Sequence, residues 1–522
     1  MSSFAQRMSH LAQSEPERVA VVCAGVAYSR SSISRHAMRL AGCLSALHVA
    51  PGARVGVVAK NSELHLVCAL AISHLGAVMV PLHFRSAPLE ARHNLEDSGC
   101  SVVIFDPESA SAYAWATRST SFVGVLDDTE GTCELPVGWV SLSALCRGLT
   151  ALPRAVPVRD EDIAMIHYTS GSTGCSKGVC LTHGNIAASW DNWSRVLPIG
   201  DRDTVLTITP FAHVGGLQTF TLQVLLAGGT VIIQKHFDSD EALREIERYK
   251  VTLTFCVPRI YTMMSRSSEF EKRDLSSLRC AVVGGASVTP ELVDLYLRRN
   301  VPLCPSWGMT ETCGGATILR SEEVRSRPKS VGRPMAHVDL RLVDGAGREV
   351  GANSDGSLSI RGGSVAAGYW RDGKVVPLAE GEDGWFDTGD VAQVDDEGYL
   401  SITGRSSDRI ISGGENIYPA ELERAMGDLA GVMECAVIGV PDERWGESPV
   451  VFVVPQLGRD VPSLSEIRAH LGLRISRYKL PRELRVIDAL PRTAQTGKVD
   501  RGALTSLYAT SHDCGEKWTT GG

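Results

Sequence analysis

The chain has 522 residues, 43% of them apolar and 21% charged, with a formal net charge of −8 at pH 7. That length exceeds one ordinary hydrophobic core, so two or more domains are expected, while the mild acidity without a basic block argues against nucleic acid as a main partner. The 14 cysteines are scattered, with no CxxC pair and no zinc-type His/Cys spacing, which speaks against a disulfide-built secreted scaffold and for a reducing cytoplasm.

The opening Met1-Ser2-Ser3-Phe4 leads into no long apolar core, so no signal peptide is expected. No run approaches the roughly eighteen apolar residues of a membrane span either. Residues 31–47 read as an amphipathic helix, 54–59 as a buried strand, 64–74 as a helix and 77–82 as a strand. Residues 127–148 show weak periodicity and are expected to be a surface excursion. Apolar Ile163, Ala164 and Ile166 then lead, as a buried strand would, into His167-Tyr168-Thr169-Ser170-Gly171-Ser172-Thr173-Gly174-Cys175-Ser176-Lys177-Gly178. Backbone N–H groups freed by glycine, several hydroxyls and one ammonium are the parts that hold a polyphosphate. Gly178 after Lys177 breaks the Walker A order. Glycine richness alone fits a surface turn equally well.

Further strands are expected at 204–209, 230–234, 252–257, 280–283 and 301–304, with a helix at 217–226. Strands separated by helices imply parallel α/β layers. In open α/β sheets sites lie at the carboxyl ends of strands. That rule gathers the loop at 169–177, the turn Gly284-Gly285-Ala286-Ser287 and Ser306-Trp307-Gly308-Met309-Thr310-Glu311 around one crevice. Residues 331–402 become strand and turn, rich in Gly and Asp. Beyond 405 a small α/β pattern follows, with helices at 419–426 and 464–471, strands at 434–440 and 450–455, and a last helix after Gly497. The tail, 511–522, is polar and expected to be disordered.

Five motifs in order carry a resemblance. They are Tyr168 to Gly174 with Lys177, Trp307 to Glu311, Trp385-Phe386-Asp387-Thr388-Gly389-Asp390, Gly404-Arg405 through Asp408 to Gly413-Gly414-Glu415-Asn416-Ile417, and Pro491-Arg492-Thr493 through Gly497-Lys498. Together the chain resembles the adenylate-forming enzymes, the superfamily of acyl-CoA synthetases, peptide-synthetase adenylation domains and luciferases, and is most similar to small acyl- or aryl-CoA ligases. The resemblance implies an α/β fold. A large N-terminal domain of layered α/β subdomains plus a β-rich subdomain would cover 1–404, and a small mobile α+β domain 405–510.

The resemblance also implies roles. Thr169, Ser170, Gly171, Ser172, Thr173, Gly174 and Lys177 would grip the ATP phosphates, with Gly285, Ala286, Ser306, Gly308 and Met309 lining the nucleotide. Trp307 could stack on adenine. The Thr310 hydroxyl can reach a phosphate, and Glu311 is a hard oxygen ligand suited to Mg²⁺. Asp390 and Arg405 would meet the ribose, and Ser407 stands where the family usually has a hinge Asp or Lys. Lys498 would stabilise charge as a carboxylate attacks the α-phosphate, although Ala494-Gln495-Thr496 makes the preceding stretch one residue longer than usual. Taken singly, Glu311 is also a plain helix-start carboxylate, Asp390 a turn aspartate and Lys498 the start of a terminal helix.

For the second half-reaction Ser412, Gly413 and Gly414 would line a pantetheine tunnel. Trp445, in Arg444-Trp445-Gly446-Glu447, would pack on CoA, with Tyr478 and Lys479 near its nucleotide. The acyl pocket is expected from His213, Val214, Gly215, Cys313 and Gly314. No aspartate follows Phe211 to pair an ammonium, which disfavours an α-amino acid. Arg259 is expected to point outward. The expectation is thus an ATP-, Mg²⁺- and CoA-dependent acid–thiol ligase acting on a fatty or aromatic acid. An acyl-AMP ligase loading an acyl carrier protein, and an inactive nucleotide-binding homologue, are the alternatives. The missing GxGxxG makes a dinucleotide enzyme a poor fit.

Overall fold

The computed structural model describes residues 3–513, except 87, 114–121, 128–134, 136–137, 150, 170–175, 380–382, 413–414, 443 and 494–496. Two large sheets form the main body. The seven-stranded sheet runs, edge to edge, Leu303–Pro305, Cys280–Val283, Leu253–Cys256, Thr204–Thr207, Thr230–Ile233, Val19–Cys23 and Val26–Ser29. The nine-stranded sheet runs Lys374–Val376, Gly368–Arg371, Lys177–Thr182, Ile163–Thr169, Val78–Leu82, Arg54–Val58, Val102–Phe105, Val123–Leu126 and Val140–Ser141. Helix Glu63–His74 is buried from Leu64 to His74, as an all-round apolar helix must be. It belongs to one hydrophobic core with Val21 and Val205 of the first sheet and Val55 of the second.

A four-stranded antiparallel sheet follows, Asp339–Val343, Gly356–Arg361, Phe386–Val394 and Leu400–Arg405. The turn Ser406–Asp408 joins it to a smaller lobe. There the long hairpin Val432–Asp442 and Gly446–Pro455 is flanked by Ile410–Ser412, Glu415–Ile417 and Glu483–Val486. Alternation along the hairpin sends Val437 to a core with Leu422 and Ile467, and Ala436 and Ile438 to a second core with Leu504. This is the mixed α/β architecture of layered sheets, β-rich subdomain and small α+β lobe that the motifs implied.

Four local expectations are corrected. The segment expected as a surface excursion contains Val140–Ser141, which pairs with Val123–Leu126, and helix Leu142–Arg147. Buried Trp139 anchors it by stacking on Phe105 at 4.2 Å. The helix expected at 217–226 is two, Val214–Leu217 and Thr221–Ala227. The Gln218 carbonyl accepts the Trp190 indole N–H at 3.1 Å, which diverts it from the helical ladder. Lys177 begins a strand antiparallel to Ile163–Thr169, rather than ending a loop. The last helix reaches Asp513, taking in the first three residues of the expected tail. Among the described residues no helix is long and apolar enough to cross a membrane.

Candidate active site

The strands at 204, 253, 280 and 303 are mutually parallel, so their carboxyl ends share one edge. The segments that follow them, 209–216, 257, 284–287 and 306–311, therefore meet there. Two glycines make the approach possible. A Cβ on Gly284 would stand 2.7 Å from the Ser306 carbonyl, and one on Gly308 would stand 1.8 Å from that of Gly314. Gly308–Met309 pairs antiparallel with Gly314–Gly315, tying off a tight loop that carries Thr310 and Glu311. Gly285 and Ala286 are exposed at this edge. The Ser306 hydroxyl donates to the Thr317 carbonyl at 2.7 Å, so its proton is committed to the scaffold.

Asp390 is 4% exposed and doubly held. Arg405, its cross-strand partner, donates Nε to Oδ1 at 2.8 Å, and the Trp307 indole donates to Oδ2 at 2.9 Å. A carboxylate has about four lone-pair sites, so two remain for other donors. Trp307 itself is buried in the core of the β-rich sheet.

Glu311 is also buried, and its Oε1 accepts from the Tyr369 hydroxyl at 2.8 Å. The Tyr369 ring faces the Lys177 ammonium at 5.3 Å. Burial, then Glu311, push the Tyr369 phenol upward. Tyr369 thus links Glu311 to the strand pair that carries Thr169 and Lys177; Ser170, Gly171, Ser172, Thr173 and Gly174 lie outside the described residues. The sequence reading missed Tyr369, because its place follows from the pairing of Gly368–Arg371 with Lys177–Thr182. Among the described residues no three His, Cys, Asp or Glu side chains form a metal cage. One fixed carboxylate fits Mg²⁺, which commonly takes one or two protein carboxylates and fills its shell with phosphate oxygens and water.

Lys498 comes from the small lobe. It is open to solvent yet ringed by protein at longer range, and this crowding depresses its pKa. Arg405 pushes it the same way, whereas Asp390 and Glu311 oppose. The ammonium is therefore within electrostatic reach of all three groups. A small turn holds it, in which Arg492 donates to the Gly497 carbonyl at 2.7 Å and the Thr493 amide to that of Lys498 at 2.9 Å. Glu434 joins Arg492 at 2.7 Å and Arg259 of the large lobe at 3.4 Å. Arg259 is half exposed and points outward, as expected.

His213 precedes helix Val214–Leu217, with its ring 5.5 Å from that of His83. Burial, then His213, bring His83 down to about 3. Burial likewise brings His65 and His167 down to about 4. His167 Nδ1 meets the Ala212 carbonyl at 3.1 Å and His65 packs edge-on against Phe211, so neutral imidazoles back the 211–213 turn. Val214 is buried and Gly215 half-buried, and a Cβ on Gly215 would stand 2.5 Å from Phe255. Gly314 is buried, facing Thr219. Cys313 is 0% exposed. Its thiol, pushed up to about 12 by burial, sits in the main core, which corrects its expected place as a pocket wall. Its left-handed φ of +56° turns the side chain inward.

In the small lobe Ser412 pairs with Gly446, and the Ile411 amide donates to Glu447 at 2.6 Å. Two stretches far apart in sequence are thereby joined. Arg444 and Arg482 lie 5.0 and 4.7 Å from the Trp445 ring centroid. Arg482 was not singled out from the sequence. Lys479 is paired with Glu421 at 2.7 Å, so its charge is engaged within the lobe. Gly413, Gly414 and the Tyr478 side chain lie outside the described residues.

Residues 8–370 match the family model described as AMP-binding enzyme, and residues 421–498 that of the AMP-binding enzyme C-terminal domain. The chain is 37% identical over 501 residues to a feruloyl-CoA synthase of an Amycolatopsis species, covering 95% of this chain and 97% of the relative. It is 35% identical over 475 residues to a long-chain-fatty-acid–CoA ligase of Mycobacterium tuberculosis, covering 91% and 92%. Its fold is similar to that of the o-succinylbenzoate coenzyme A synthetase of Bacillus subtilis solved with ATP and magnesium, with a TM-score of 0.81, 26% identity and coverage of 96% and 99%. With both family models matched in order along the chain, it belongs to the AMP-binding, adenylate-forming enzyme family.

Proposed function

We propose that this protein is an ATP- and Mg²⁺-dependent acid–thiol ligase, an acyl-CoA synthetase acting on a fatty or aromatic carboxylic acid. The observation that carries the proposal is that Asp390 is held by both Trp307 and Arg405, which joins three of the five motifs, with Lys498 of the fifth within electrostatic reach. A carboxylate oxygen of the acid attacks the α-phosphorus of ATP, and pyrophosphate leaves with the bonding electrons. The Lys498 ammonium meets the charge that builds on the α-phosphate, stabilising the transition state more than the ground state. Asp390, its carboxylate held by Arg405, accepts from the ribose hydroxyls. The 169–177 segment and Thr310 hold the phosphates, and Glu311, steadied by Tyr369, holds Mg²⁺, which neutralises phosphate charge when bound.

In the second step a thiol loses its proton and attacks the acyl carbon, and AMP leaves. His213 borders this position. The large lobe, 1–404, would hold the adenylate, while 405–510 turn about 406–408 to withdraw Lys498 and present the Ser412 and Trp445 region. An aromatic face flanked by two guanidinium groups suits an adenine ring with phosphates, which favours free CoA over a carrier protein. Acid-dependent pyrophosphate exchange tests the first step. AMP release with CoA, compared with an acylable carrier protein, tests the acceptor. No exchange with any acid would refute the ligase assignment, and turnover with the carrier alone would refute CoA.

A further inference from the structure

The strand Leu253–Cys256 lies inside the seven-stranded sheet, and Phe255 alone of its four residues is not fully buried. The Phe255 ring lies beside Gly215 and Gly284, in the turns that follow the strands at the carboxyl edge. The ring bridges two turns of the site. A Cβ on Gly215 would stand 2.5 Å from its Cε1, and one on Gly284 3.5 Å from its Cε2. The Thr209 hydroxyl donates to the Phe255 carbonyl at 3.1 Å, fixing the backbone from which the ring projects. Phe255 also borders a small internal cavity lined by Val205, Leu206, Gly216 and Phe220. The ring therefore stands between the 215 and 284 turns and a small space under the 211–216 turn that Thr207 and Thr221 also line.

We propose that Phe255 closes the inner end of the acyl pocket and restricts the acid to a compact group, an aromatic ring or a short chain. This inference rests on the ligase function proposed above. Interiors are close-packed, so a longer chain has to displace a ring already pressed against a glycine that offers no side chain to give way. A smaller residue at 255 would give up the volume of the ring and add depth for a longer chain.

The test compares kcat/KM for benzoate and octanoate by pyrophosphate release, using the full chain and Phe255→Ala and Phe255→Leu variants, with melting temperature as the fold control. The wild type is expected to prefer benzoate. Phe255→Ala should raise the octanoate-to-benzoate ratio by about tenfold or more, the scale on which pocket walls discriminate single methylenes, and Phe255→Leu should move it the same way by less. An unchanged ratio in a folded, benzoate-active variant overturns the inference, as does a wild type that uses octanoate as readily as benzoate. If Phe255→Ala does not fold, the leucine variant decides. A wild type that activates no acid of a broad panel overturns the ligase function itself.

Discussion

Asp390 in the large lobe is locked by a cross-strand arginine and a buried indole, and Glu311 by a tyrosine from another sheet. Lys498 in the small lobe sits on a turn held by a few hydrogen bonds, and Trp445 shows its ring to two arginines on the surface. On the proposed function, the groups that would receive the nucleotide in every step are held in place before it arrives, which would spare reorganisation during reaction. On the same proposal, groups that act in only one of the two steps belong to the lobe proposed to turn. Rigid electrostatics in one lobe and replaceable reagents in the other is the division of labour that a two-step ligase needs.

The largest expected effect comes from the small lobe. Lys498→Ala should lower acid-dependent pyrophosphate exchange by about two to three orders of magnitude, while thioesterification of a supplied acyl-adenylate changes little. Equal losses in both steps would erase the distinction between the lobes. On the fixed side, Tyr369→Phe removes the donor that orients Glu311 and should raise the Mg²⁺ concentration for half-maximal exchange by about tenfold, with no change in CoA dependence. An unaltered Mg²⁺ response would separate Glu311 from the metal. Trp445→Ala should raise the KM for CoA by about fivefold, the scale of one cation–π contact, and spare exchange. Weakened exchange would place the tryptophan in the first step. Glu434→Gln cuts the surface link between Arg259 and Arg492. Exposed pairs are worth about 0–1 kcal/mol, so exchange should shift less than about fivefold, and a larger change would make this link a main determinant of lobe orientation.

Much of the scaffold was legible in the chain. Apolar runs at 54–59, 64–74 and 280–283 match Arg54–Val58, Glu63–His74 and Cys280–Val283, because burial and local periodicity agree there. The rule that sites lie at strand carboxyl ends brought 284–287 and 306–311 to one edge. Trp139 and Val140 were hard to place because a two-residue strand has too few positions for a period, and its stability comes from stacking on Phe105.

The sequence by itself determined which side chains could do chemistry, because Lys498, Glu311, Asp390 and Arg405 stand in ordered motifs whose residue types set charge and donor capacity. Only the tertiary structure decided their neighbours. Tyr369 beside Glu311, Arg482 over Trp445, Phe255 against Gly215 and the inward turn of Cys313 depend on strand register and on packing between segments distant in the chain. Those are long-range consequences of burial, and no local pattern of residues encodes them.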